Sequence, residues 1–117
     1  MKINAFNVAA HFAGKDSTTR EIYDRLLKTS RQSGTVKEDP KKTSIHLVNK
    51  TAFAGVAVRK NSIMLTIKSD RELSSPRIHK SEQVSAHRFH HEIKLASPED
   101  VDVELTGWLR AAFELSA

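Results

Sequence analysis

The sequence predicts an α+β fold, a two-layer sandwich in which an N-terminal and a C-terminal helix pack on one face of an antiparallel sheet. Two observations support this prediction. Apolar residues recur at helical spacing near both ends of the chain, whereas they alternate with polar residues over much of residues 43–95. Tight turns separate the alternating segments, which favours a meander of about four or five strands.

The N-terminal part of the chain is predicted to be helical. Residues 4–13 are typical of a short helical turn, with Gly14 ending it. Asp16 and Ser17 offer side-chain oxygens to the free amides of a helix that starts at Thr18. The apolar face of this helix carries Ile22, Tyr23, Leu26 and Leu27.

The middle of the chain changes to a period of two. Pro40 stops the preceding helix from continuing, and strands are predicted at residues 43–48 and 52–58. A third strand carries Ile63, Leu65 and Ile67 on one side. Residues 69–85, which include the run Ser74, Ser75 and Pro76, are predicted to form a loop or an irregular edge segment.

The last strand and the last helix follow one another directly. Alternation from Phe89 to Leu95 predicts a strand with one buried face. Ser97 and Pro98, followed by two acids, predict the start of a helix that continues to about Leu115. The predicted structural core is Phe53, Phe89, Ile93, Leu105, Trp108, Leu109 and Phe113.

Four blocks of sequence resemble a bacterial family, domain of unknown function number 5655. They are HFAGKDSTTREIYDRLL, KTSIHL, FAGVAVRK and HRFHHEIKLASPEDVDVELTGWLRAAFEL, in that order. The resemblance spans about residues 10–116 and implies a small stand-alone protein or a C-terminal module, some members being labelled predicted transport proteins. This resemblance does not imply any particular enzymatic reaction. More distantly, the layout is similar to a family labelled iron chaperones by analogy with frataxin.

The composition limits the kind of protein. A chain of 117 residues predicts a single domain over residues 1–117. The absence of cysteine excludes disulfides, thiolate metal sites and cysteine nucleophiles, and fits a cytoplasmic location. The first residues do not form a secretory signal, and no window approaches the roughly 20 apolar residues of a membrane span. We therefore expect no membrane insertion.

Basic residues are concentrated in the middle of the chain. Residues 37–94 carry twelve basic and six acidic side chains, whereas residues 95–117 carry one and five. A basic surface attracts phosphate-bearing or carboxylate partners, although a merely solvated surface is the alternative interpretation. If the helices cover the face with Ile45 and Leu47, the predicted anion-binding residues on and beside the open face are Lys42, Ser44, His46, Arg59, Lys60, Arg77 and His79.

Three histidines in residues 87–91 raise the question of a metal site. On a strand, His87 and His91 lie about 13 Å apart, too far to share one ion, so we predict neither a metal nor another cofactor. No phosphate-binding glycine loop or nucleophile elbow is present, so no catalytic residue is assigned. A hydrolase or transferase site that combines Ser44, His46 and His91 is an alternative.

These patterns predict a non-catalytic binding module for an anionic partner. The partner is a nucleic acid or a small ligand with a phosphate or a carboxylate. The first alternative is an adaptor that binds a partner protein, or that forms a homodimer, through the open sheet face or an edge strand. A concave, polar open face would favour a ligand, whereas a closed or apolar face would favour the adaptor.

Overall fold

A computed structural model describes residues 6–117. Within these residues lie two α-helices, α1 (Ser17–Arg31) and α2 (Val103–Leu115), and two short 3-10 turns at Ala9–Phe12 and Pro98–Asp100. The strands are β1 (Lys37–Pro40), β2 (Ile45–Val48), β3 (Ala52–Val58), β4 (Ile63–Ser69), β5 (Ile78–Ser85) and β6 (Arg88–Leu95).

The strands form one open antiparallel sheet in the order β1-β2-β3-β4-β6-β5. The first four strands are a meander, and residues 70–77 carry the chain to the far edge, where β5 pairs with β6. The α+β class and the antiparallel sheet are therefore confirmed, with six strands in place of the predicted four or five.

The first helix forms where the sequence predicts it. The Asp16 carboxylate accepts a hydrogen bond from the Thr18 amide at 2.9 Å and caps the first turn, so α1 begins at Ser17. This bond lowers the pKa of Asp16 below its ordinary value, mainly because the amide favours the charged carboxylate. The preceding turn covers Ala9–Phe12; the first two residues of the predicted 4–13 segment lie outside the described residues.

β1 was not predicted, and β5 was predicted only as a loop or an irregular edge segment, because neither strand has an alternating apolar pattern. β1 has the sequence KEDP and pairs with β2 from Lys37 opposite Val48 to Pro40 opposite Ile45. β5 falls inside residues 69–85, which were predicted to form a loop or an irregular edge segment, and it is an edge strand with irregular pairing. Seven of its eight residues are exposed, so it buries no apolar face from which a strand could be predicted. β2 begins at Ile45 instead of Thr43, because the Lys41 amide donates to the Ser44 carbonyl in a turn.

The C-terminal helix is shorter than predicted. The Asp100 carboxylate accepts from the amides of Ala96 and Ser97 at 2.7 and 3.1 Å, which closes a separate 3-10 turn. Val101 then leaves the helical conformation, with ψ at 76°. α2 starts afresh at Val103, because Asp102 accepts from the Leu105 amide at 3.0 Å as the new N-cap.

One hydrophobic core joins both helices to the sheet. It contains the inward residues of β2, β3, β4 and β6 together with apolar residues of α1 and α2. Four predicted core residues are buried: Phe53, Ile93, Leu105 and Leu109. The other three predicted core residues are only partly buried: Phe89, Trp108 and Phe113.

Phe113 shows how α2 meets the sheet. Its ring packs edge-on against Phe53 of β3 with centroids 5.5 Å apart. The Asn49 side-chain amide donates to the Phe113 carbonyl at 3.0 Å, which holds the end of α2 beside the β2–β3 turn. No helix within residues 6–117 has the length and apolar character needed to span a bilayer.

Candidate functional site

The face of the sheet opposite the core contains a concave site, here called the hollow. Its volume is about 280 Å³. The residues around it come from β2, β3, β4 and β6 and from the turn before β2. They are Ser44, His46, Ala52, Phe53, Ala54, Gly55, Ala57, Met64, Thr66, Ile67, Lys68 and His90.

The hollow exists because β3 carries small residues on this face. Ala52, Gly55 and Ala57 leave space between the larger side chains of the flanking strands. A Cβ added at Gly55 would lie 3.8 Å from His46 Cδ2, which is an ordinary van der Waals distance. Glycine at this position therefore leaves free space that a methyl group could occupy. The floor is therefore apolar, and three small residues of one strand leave the space above it.

Polar groups surround this floor. His46, Gly55 and Thr66 face one another across three strands, and Lys68 is opposite His90 on the next strand pair. Within the part of the chain that the structure describes, Lys68 takes part in no ion pair. The Lys68 ammonium, the imidazoles of His46 and His90, and the Thr66 hydroxyl can all donate hydrogen bonds to an anion.

The structure does not bring the predicted anion-binding residues together at one site. Ser44 and His46 both line the hollow. Lys42, Arg59 and Lys60 are exposed and lie outside it, in the β1–β2 and β3–β4 turns. In an antiparallel meander these two turns lie at the same end of the sheet, so the three cations form one basic end.

Arg77, the sixth predicted residue, is held by acids of the chain itself. Its Nη1 lies 2.7 and 2.9 Å from the two carboxylate oxygens of Asp102 and 3.4 Å from Glu104, and its Nη2 donates to the Asp100 carbonyl at 2.6 Å. Burial lowers the pKa of Arg77, but hydrogen bonds and charges of Asp102 and Glu104 outweigh it and raise that pKa. His79, the seventh, is exposed on the edge strand β5 and does not line the hollow.

His91 lies on the opposite side of the sheet from the hollow. Its side chain is fully buried, with Nε2 2.8 Å from the Ser69 hydroxyl and Nδ1 2.7 Å from the Ser81 hydroxyl. A site that combines Ser44, His46 and His91 is therefore not assembled, because β-strand alternation places His91 on the core side. Among residues 6–117 no three His, Asp or Glu side chains are grouped closely enough to hold a metal ion.

A family model described as Domain of unknown function (DUF5655) matches residues 8–116. The chain belongs to this family. No curated protein and no solved structure matches it. Because the DUF5655 match covers both helices and all six strands, the hollow lies within the family's domain.

Several lining residues of this DUF5655 domain were not among the predicted site residues, and the larger of these on the open face are Met64, Thr66, Lys68 and His90. The signal for the first three was present, since they alternate with Ile63, Leu65 and Ile67 on β4 and so share the face of His46. His90 requires the pairing of β6 with β4, which places it opposite Lys68. The sequence alone does not reveal this pairing, because the two strands are separated along the chain by β5.

Proposed function

We propose that the protein is a non-catalytic binding domain for a small organic anion, held in the hollow by a carboxylate or a phosphate. One observation carries the proposal: the open sheet face is concave, and although its floor is apolar, as the adaptor function would require, the polar side chains of Lys68, His46, His90 and Thr66 surround that floor. Ligand sites are typically apolar concavities in which a few polar groups fix the orientation.

The size of the hollow favours a small ligand. A volume of about 280 Å³ is close to the lower end of the range for small-molecule sites. Single-stranded nucleic acid is typically stacked on Phe, Tyr or Trp side chains, and Phe53, which is the one residue of these three types that lines the hollow, is fully buried. The hollow therefore fits a small molecule better than a polynucleotide.

The chemistry of the lining residues predicts a ligand with two parts, an anionic group and an apolar body. A carboxylate or phosphate oxygen would accept hydrogen bonds from the Lys68 ammonium and from His90 opposite it. An apolar body would lie against Met64 and the alanines of β3. Glu92 continues the row beyond Thr66 but does not line the hollow, and its register partner on the far side is Lys80 of β5.

The sheet edges favour this function over the adaptor function. β1 has only four residues and ends in Pro40, which cannot donate a ladder hydrogen bond. β5 carries Lys80 and Glu82 and has irregular pairing with β6 at both of its ends. Short, charged and irregular edges are the usual protection against strand addition.

The test is a binding screen with a matched pair of lysine variants. Aliphatic and aromatic carboxylates and phosphate monoesters, with their uncharged amide or alcohol analogues, are screened by thermal shift, and affinities are measured by calorimetry. We expect Lys68→Gln to weaken binding of an anionic hit about tenfold, as is typical for a lost charged hydrogen bond. Lys94→Gln is the control, because Lys94 is exposed on the same face but outside the hollow.

Two results would contradict the proposal. One is that no carboxylate or phosphate raises the melting temperature more than its uncharged analogue. The other is equal affinity of Lys68→Gln and Lys94→Gln for the hit. Self-association that Lys68→Gln abolishes, in the absence of any small ligand, would instead assign the open face to homodimer formation.

A further inference from the structure

The imidazole of His91 lies between two serine hydroxyls at the end of the sheet's core-facing side. Ser69 comes from the end of β4 and Ser81 from the edge strand β5, and His91 on β6 separates them. The imidazole is fully buried, whereas Ser81 belongs to an exposed strand. This group lies outside the hollow, and the proposed function does not use it.

The directions of the hydrogen bonds in this group follow from the position of one proton. The Ser69 hydroxyl donates to the Arg71 carbonyl, so its oxygen can only accept from His91. Nε2 of a neutral His91 therefore carries the proton and donates it to Ser69 at 2.8 Å. Nδ1 is then the unprotonated nitrogen, and it accepts the hydroxyl proton of Ser81 at 2.7 Å.

This arrangement has the three parts of an activated hydroxyl nucleophile. Ser81 is the hydroxyl, His91 is a base within hydrogen-bonding distance, and Ser69 fixes the orientation and tautomer of the base. Burial keeps the imidazole in one position, while the exposure of β5 gives a reagent access to Ser81.

We propose that Ser81 is a base-activated hydroxyl that accepts an acyl group from an activated ester. The Ser81 oxygen attacks the carbonyl carbon of the ester, and its proton passes to Nδ1 of His91. The tetrahedral intermediate collapses with cleavage of the bond to the leaving alcohol, which takes the proton from His91. The products are an ester on Ser81 and the free alcohol, so no oxidant or further reactant is needed.

The test compares two serines of the same strand in the folded wild-type protein. The protein is treated with p-nitrophenyl acetate, and acetylation is followed by nitrophenolate release and peptide mapping. We expect Ser81 to react about 100-fold faster than Ser85, the lower limit of what a positioned general base typically contributes. Ser85 is an appropriate reference, because it is also exposed on β5 but pairs with Arg88 in the sheet and not with His91.

Variants separate activation from simple exposure. Ser81→Ala should remove the fast phase, and Ser85→Ala should leave it unchanged. His91→Asn keeps a polar side chain but lacks the basic nitrogen, so in a folded variant Ser81 should react at the rate of Ser85. Equal rates at the two serines in the wild-type protein would overturn the proposal, and this comparison does not depend on the folding of any variant.

Discussion

Gly55 and Gly34 are two glycines for which the structure predicts opposite effects of the same substitution. Gly55 lies in β3 with space for a Cβ, whereas Gly34 has a φ of +154° and an added Cβ would lie 2.8 Å from Phe113 Cζ. Gly55→Ala should raise the free energy of unfolding by about 0.5–1 kcal/mol, because it restricts the unfolded chain without strain. Gly34→Ala should lower it by more than about 1 kcal/mol, because backbone strain and the clash add. Urea unfolding measures both.

Gly14 is the control for the contribution of the backbone. It also has a positive φ, +72°, but no atom lies within 4 Å of an added Cβ. Gly14→Ala should therefore cost less than Gly34→Ala, and the difference reports the contact with Phe113. If Gly55→Ala destabilises the protein, the space above β3 is smaller than the structure indicates, and the proposed binding site is weakened with it.

Whether the role of a single residue could be predicted from the sequence depends on how far along the chain its contact partner lies. The Asp16 cap could be predicted, because its partner Thr18 is two residues away. The partial exposure of Trp108 could not, since helical spacing alone placed it on the apolar stripe with Leu105 and Leu109. The partners of His91 come from β4 and from β5, a strand with no apolar pattern, so they become apparent only in the folded sheet.

At the scale of elements, Arg77 connects the start of β5 to the beginning of α2. Arg77→Met should lower the free energy of unfolding by about 1–2 kcal/mol, because it removes a largely buried charged hydrogen-bond donor and leaves Asp102 with one partner fewer. Arg71→Met is the matched control. The Arg71 side chain is 78% exposed and pairs only with the adjacent Asp70, so its loss should change the stability by less than about 0.5 kcal/mol.

The pH dependence of the Arg77→Met effect tests the same ion pair. The Leu105 amide is the main reason that the pKa of Asp102 lies below its ordinary value, and Arg77 lowers it further. A depressed folded-state pKa contributes stability above the unfolded value of about 4, and that stability is lost as the pH falls through the folded value. The difference in unfolding free energy between wild type and Arg77→Met should therefore be smaller at low pH than at pH 7. An unchanged difference would show that Arg77 acts by packing alone.

Secondary-structure elements could be predicted where the burial of one face leaves a periodic apolar pattern in the sequence. β3 was predicted with the bounds it has, and β4 and β6 nearly so, because one face of each is buried and alternation is visible. β1 and β5 lie at the edges and carry mostly polar side chains, so their pairing is set by the neighbouring strand. The break at Val101 was hidden because Ser97 and Asp102 are both suitable caps, and each begins a helical segment.

At the scale of the whole molecule, the charges are separated into distinct regions. The basic end of the sheet holds Lys42, Arg59 and Lys60, whereas the acids at the start of α2 surround Arg77. The hollow carries less positive charge than the basic end, because Lys68 and two imidazoles are the basic groups around its apolar floor. The net charge of +5 therefore does not reside mainly in the proposed ligand site. Long-range attraction and ligand binding should be separable by mutation.

The last prediction uses this separation. The basic end should bind nucleic acid weakly and without sequence preference, and three phosphate contacts would give a log–log slope against salt of roughly −2 to −3. Lys42→Ala and Arg59→Ala should each make the slope less steep by about 0.7–0.9, because one phosphate contact is lost. Both residues are exposed, so the variants should still fold. Lys68→Gln should leave the slope unchanged while it weakens binding of the small anion. Fluorescence anisotropy with a labelled oligonucleotide at several salt concentrations measures each slope. If Lys68→Gln makes the slope less steep by as much as Arg59→Ala does, the hollow and the basic end form one phosphate-binding surface. Nucleic acid would then replace the small anion as the proposed partner.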